Sequence, residues 1–175
     1  MGKKKKDTIL GIDPGKKNCF FCLIEHTTKP LSKKLEKIPS TILSERIDMG
    51  DKLKIEEKLP LMLKSIKLVL KKTKPSLVVA ERFVTRPRGG RGNVSEPVNM
   101  FLALLWNECR KKKIPLKLVM AGVWKGWFKR MYGEEAKKFF PKKKNVTEHH
   151  LDSKGMALYG SFKILGKTEM GVVHV

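Results

Sequence analysis

Two hydrophobic periods run along this chain, and the switches between them mark its elements. Residues 8–13, Thr8-Ile9-Leu10-Gly11-Ile12-Asp13, form an apolar run too short for an ordinary helix, which reads as a buried strand. A Pro-Gly turn at 14–18 leads into a second run at 19–25, and the close spacing makes the pair a hairpin. Residues 33–39 alternate loosely through Leu35 and Ile38 and suggest a third strand, whereas 40–50 fit either an irregular connection or a short strand. From 51 to 72 the period turns helical: Leu59, Met62, Leu63, Ile66 and Val69 recur at three- and four-residue spacing among lysines. Pro60 marks either the first turn of this helix or a kink in a longer one, and Lys74-Pro75 ends it.

The stretch 76–84 is β-branched and nearly continuous, as expected of a strand covered on both faces. A polar loop, 85–93, separates it from a helix that Ser95 is placed to cap and that runs to 112. That helix carries Val98, Phe101, Leu102, Leu105 and Cys109 on one stripe. Pro115 stops the helix, 116–120 is a further strand, and 123–132 is a short helix, aromatic and basic together. A last helix starts near 145 or 147 and extends to about 164, and the tail after 166 has the composition to add an edge strand. The order, a hairpin and then α-β-α-β-α without internal repeat, predicts an α/β fold with a mixed sheet flanked by helices. The later strands should run parallel to the first. One domain over 8–165 is expected, between a basic tail at 1–7 and a C-terminal tail at 166–175.

Charge sharpens this picture. The 175 residues carry a formal net charge of +22, which repels itself in a compact state and points to an anionic polymer as partner, nucleic acid foremost. A hydrophobic content of 41% argues against disorder throughout. No apolar run is long enough to span a membrane, and no secretory leader is visible, so a cytoplasmic or nucleoid-associated protein is expected, with phage or organellar origin both open. Of the three cysteines, Cys19 and Cys22 have C-x-x-C spacing, yet they lie in a strand, where positions three apart face opposite ways and cannot chelate one metal. Buried thiols are the better reading.

Candidate chemistry lies in the carboxylates. Asp13 closes the first strand, and Glu81 lies near the end of the strand that follows the first long helix. In open α/β sheets, sites form at the carboxyl ends of parallel strands, so these two approach each other if their strands are neighbours. His149 and Asp152 are three apart and share one face of the last helix. Converging carboxylates repel, and a hard divalent cation relieves that repulsion; oxygen ligands suit magnesium or manganese.

Ile9-Leu10-Gly11-Ile12-Asp13-Pro14-Gly15, then Val78-Val79-Ala80-Glu81, then His149-x-x-Asp152 in a helix, together resemble the RuvC-type Holliday junction resolvases of the RNase H-like fold. The resemblance extends over roughly 8–162 and implies a mixed five-stranded sheet. It carries metal binding and catalysis onto Asp13, Glu81, His149 and Asp152. The helical spacing to Asp152 favours His149 over His150 as the functional histidine. Val123-Trp124-Lys125 resembles the family's lysine stretch near the junction, which adds Lys125 to the catalytic group. Phe83, two residues after the glutamate, is the candidate for the family's aromatic wedge. The chain departs from the family pattern in His150-Leu151, where small residues are common between the pair, and in Ser153-Lys154-Gly155-Met156-Ala157, where an Ala-Leu-Ala run is common.

Around this constellation Arg82, Arg86, Arg88 and Arg91 suit phosphate contacts. Lys125, Lys129 and Arg130 interleave with Trp124, Trp127, Phe128 and Tyr132, a mixture that fits either a half-buried helix or a nucleic-acid face. Lys142 and Lys143 belong to a basic stretch placed to clamp a DNA arm. The resulting expectation is an endonuclease, dependent on two Mg2+ or Mn2+ ions, that cuts four-way DNA junctions as a homodimer. The rivals are an RNase H-like nuclease acting on RNA–DNA hybrids, flaps or forks, and a branch-binding protein without catalysis. Asp13, Glu81 and Asp152 argue against the last.

Overall fold

The computed structural model describes residues 6–15, 18–26, 41–48, 52–82, 96–134, 136 and 148–165. Strand β1 (Thr8–Pro14) pairs antiparallel with β2 (Asn18–Glu25), from Thr8 opposite Glu25 to Pro14 opposite Cys19. Strand β3 (Thr41–Asp48) extends the sheet on the far side of β2. On the other side β4 (Leu77–Glu81) lies parallel to β1, and β5 (Leu116–Val119) lies parallel to β4. The five strands follow the order β3-β2-β1-β4-β5, so β1 is central.

Helices α1 (Ile55–Thr73) and α2 (Glu96–Lys111) cover one face of the sheet. Helices α3 (Ala121–Tyr132) and α4 (Glu148–Tyr159) cover the other, and α4 runs on into a π-helical turn, Gly160–Leu165. The alternation of β1 feeds both layers: Leu10 and Ile12 join Met62, Ile66 and Phe101, while Ile9 joins Val79, Trp124 and Met156. Asp13, at odd register like Ile9, therefore points toward the α3–α4 layer. Cys19 and Cys22 fall in opposite cores as free thiols, in keeping with their strand spacing.

Gly11 explains how α4 settles so close to β1. A Cβ at this position would stand 2.0 Å from the carbonyl oxygen of Ser153 and 2.6 Å from the backbone nitrogen of Ala157, so only glycine admits the helix. Gly155, within the stretch that departs from the family pattern, serves α3 in the same way. A Cβ there would meet the Trp124 ring at 2.4 Å.

Some open alternatives are resolved and some expectations corrected. The ambiguous 40–50 stretch is the edge strand β3, pairing from Asn18 opposite Asp48 to Ile24 opposite Thr41. Helix α1 starts at Ile55, where Glu57 accepts a hydrogen bond from the Lys54 backbone N–H at 2.8 Å, and Pro60 falls inside the helix. The aromatics of α3 are not half exposed: Trp124, Trp127, Phe128 and Tyr132 are all buried, which removes them as a stacking platform for bases. The strand expected at 33–39, the Ser95 cap, the 85–93 loop and the tail after 166 lie outside the described residues. Among the described residues no helix is long and apolar enough to cross a membrane.

Candidate active site

The parallel register sets Ile12 opposite Ala80, so the next residues, Asp13 and Glu81, close adjacent strands side by side. Helix α4 lies across this end of the sheet and lowers its first turns onto the carboxylates. His149 Nδ1 is 2.6 Å from Asp13 Oδ2, and Phe20, the residue directly across from Asp13 on β2, stacks on the His149 ring at 5.3 Å and 16°. One turn on, Asp152 Oδ2 accepts a hydrogen bond from Lys125 Nζ at 2.7 Å. Trp124, the preceding residue of α3, donates from Nε1 to Glu81 Oε2 at 3.2 Å. Asp13, Glu81, His149, Asp152 and Lys125, separated by up to 139 positions in the chain (13 to 152), are thus gathered by four elements, β1, β4, α3 and α4.

His150 points elsewhere. Its Nδ1 lies 2.9 Å from Ser44 Oγ on β3, and its ring meets Phe20 edge-on at 4.6 Å. Burial lowers its pKa, with Arg46 and His149 adding to the effect.

The electrostatics show that the acidic groups sense one another. Burial raises the Asp13 pKa, the hydrogen bond and charge of His149 offset part of this, Asp152 raises it further and Lys125 lowers it. Glu81 is raised by burial and by Asp13 and Asp152, against the Trp124 hydrogen bond and Lys125. For Lys125, burial disfavours the ammonium, but its hydrogen bond with Asp152 and the charges of Asp152, Glu81 and Asp13 outweigh that and raise its pKa. Three carboxylates share one lysine, so the site carries an excess of negative charge inside a chain of net charge +22. This donor set, carboxylate oxygens with an imidazole, matches the preferences of a hard divalent cation. Among the described residues no group of three or more His, Cys, Asp or Glu is drawn close enough to hold a metal ion; each carboxylate is instead engaged by its own donor.

Of the expected nucleic-acid contacts, Arg82 is exposed just beyond β4, with its backbone N–H bonded to the Val119 carbonyl. Lys129 and Arg130 are exposed on α3. Phe83, Arg86, Arg88, Arg91, Lys142 and Lys143 lie outside the described residues. The sequence reading missed Phe20 and Trp124 as neighbours of the site. The hairpin held a signal for Phe20, since a turn over 14–18 sets it across from Asp13. Trp124 had none beyond its adjacency to Lys125.

Neither a family model nor a curated protein sequence matches the chain. Solved structures do. RuvC of Thermus thermophilus, determined with a Holliday junction substrate, superposes with a TM-score of 0.64 at 13% identity, over 91% of this chain and 96% of that one. The yeast mitochondrial Holliday junction resolvase Ydc2 gives a TM-score of 0.61 at 15% identity, over 95% of this chain and 81% of that one. The strand order, the helix laid across the central strand and these superpositions together show that the chain has the RNase H-like fold, in the form seen in the RuvC and Ydc2 Holliday junction resolvases.

Proposed function

We propose that this protein is a metal-dependent endonuclease that hydrolyses phosphodiesters in branched DNA, with four-way junctions as its preferred substrate. The observation that carries the reading is the meeting of Asp13 and Glu81, at the ends of adjacent parallel strands, with His149 and Asp152 of α4. Asp13, Glu81, Asp152 and His149 would hold Mg2+ or Mn2+, a pair of ions in the two-metal scheme, which would polarise the scissile phosphate and acidify the attacking water.

The chain's own groups have separable tasks. Trp124 fixes the orientation of the Glu81 carboxylate through its indole N–H. Lys125, held by Asp152 and half exposed, offers a cation beside the carboxylates, where negative charge builds on a phosphate under attack. The contact of His149 Nδ1 with Asp13 turns the imidazole so that Nε2 is the ring nitrogen left either to hold a metal ion or to orient the attacking water. Phosphate contacts supply affinity by counterion release, and branch geometry supplies selectivity. A homodimer would present two such sites to symmetric strands.

The test is a panel of labelled four-way junction, linear duplex and RNA–DNA hybrid, each incubated with Mg2+, Mn2+ or EDTA. The reading expects junction cleavage with either metal and none with EDTA. Faster cutting of the hybrid would assign a different RNase H-like activity, and metal-independent cutting would overturn the mechanism.

A further inference from the structure

The site described above lies toward the β1–β4 side of the sheet end, yet the same row of residues continues the other way. Asp13 is paired with Phe20, and Phe20 is paired with Arg46 on β3. Paired residues in a sheet face the same side, so Arg46 lies on the α4 face. Its neighbours confirm this. Leu43 and Ile47 pack into the α1–α2 core and Glu45 pairs with Lys72 of α1, whereas Ser44 bonds His150 of α4. Two strand spacings separate β3 from β1, so Arg46 stands about 10 Å from Asp13 along the row.

Arg46 is exposed, and its Nε donates to Asn18 Oδ1 at 2.9 Å. That bond occupies the inner edge of the guanidinium and leaves the two terminal nitrogens as a fork. Among the described residues no carboxylate forms an ion pair with it. An arginine braced through Nε, with no described carboxylate on its fork, is pre-organised for bidentate contact with a phosphate. Lys125 marks the opposite flank, on the α3 side of the carboxylates.

We propose that Arg46, braced by Asn18, is a phosphate contact on the β3 flank of the site, holding a phosphate that neighbours the scissile one. The bound strand then crosses the end of the sheet from the Lys125 side, over Asp13 and Glu81, to β3. This rests on the nuclease reading above and adds a second, sequence-independent anchor that fixes the strand's direction across the carboxylates.

The experiment measures binding to a synthetic four-way DNA junction in EDTA, so that no cleavage intervenes, for the wild type, Arg46→Gln and Arg46→Lys. Losing one phosphate contact makes the log–log salt slope shallower by about 0.9, so between 50 and 200 mM salt the Arg46→Gln protein loses about 3.5-fold less affinity than the wild type. Arg46→Lys keeps the slope but binds more weakly than wild type, because a point charge replaces the fork. Junctions carrying a single neutral methylphosphonate, walked along the cut strand, locate the contact. One position beside the scissile phosphate weakens wild-type binding and costs nothing further in Arg46→Gln. An unchanged slope, or the same methylphosphonate penalties in both proteins, overturns the Arg46 assignment while leaving the nuclease reading intact. Failure of the wild type to bind any branched DNA removes both.

Discussion

Gly11→Ala tests whether the seating of α4 on β1 controls the site. The added methyl would stand 2.0 Å from the Ser153 carbonyl oxygen, 2.6 Å from the Ala157 nitrogen and 3.0 Å from the Ala157 Cβ. Two of these are backbone atoms of a helix, which no rotamer change relieves, so α4 must withdraw by roughly an ångström. Overpacking of this kind costs about 1–3 kcal/mol, and with backbone in the way the upper end applies. For a chain of this size about 3 kcal/mol lowers Tm by roughly 6–12 °C. The same helix carries His149 and Asp152, and a misplacement of about 1 Å costs on the order of 10²-fold in rate. Urea unfolding gives the stability, and single-turnover junction cleavage well below Tm gives the rate. Gly122→Ala is the control: no atom lies within 4 Å of its Cβ, so alanine in α3 should leave stability unchanged or raise it. Wild-type stability and rate in Gly11→Ala would refute the close seating of α4.

Other outcomes follow from the site's electrostatics. Asp13 and Glu81 have pKa values raised above their ordinary 3.8 and 4.5, so in EDTA the folded state holds more protons than the unfolded state between those values and the raised ones. Stability should therefore fall as pH rises through that window, and Asp13→Asn or Glu81→Gln should flatten the fall and raise Tm at neutral pH, as urea titrations across pH would show. Trp124→Phe removes the hydrogen bond that lowers the Glu81 pKa, so the acid limb of the pH–rate profile should move to higher pH. His149→Ala should slow single-turnover cleavage by about 10²-fold, while His150→Ala, whose ring is turned to Ser44, should stay near wild type; the reverse pattern would exchange their roles.

The carboxylate end of the site was legible because short strands, strand order and helical spacing are local signals. Asp13 and Glu81 close strands whose apolar runs are plain, and His149 and Asp152 stand three apart, which puts them on one face of any helix. Strand β3 was not, because an edge strand buries only half its residues and only partly: Leu43 and Ile47 turn inward while Ser44 and Arg46 turn out, which mimics a polar loop. Helix α3 misled in the opposite direction. Its Trp124, Trp127, Phe128 and Tyr132 recur at three- and four-residue spacing, the mark of a core stripe, but the intervening Lys125, Lys129 and Arg130 suggested a nucleic-acid face. The cations do stay outside, and the Trp124 indole is the surface against which Gly155 of α4 is fitted. Contacts such as Trp124 with Glu81 join residues 43 positions apart on different elements, and only the folded chain shows them.

The central claim, that Asp13 belongs to a metal-dependent nuclease site, is tested most directly by comparing wild type and Asp13→Asn on one labelled four-way junction with Mg2+. Binding is measured in parallel in EDTA. The account predicts that the wild type cuts and that Asp13→Asn binds the junction as well as the wild type but does not cut, because the substitution removes a ligand charge and no phosphate contact. Cleavage by Asp13→Asn at the wild-type rate would contradict it.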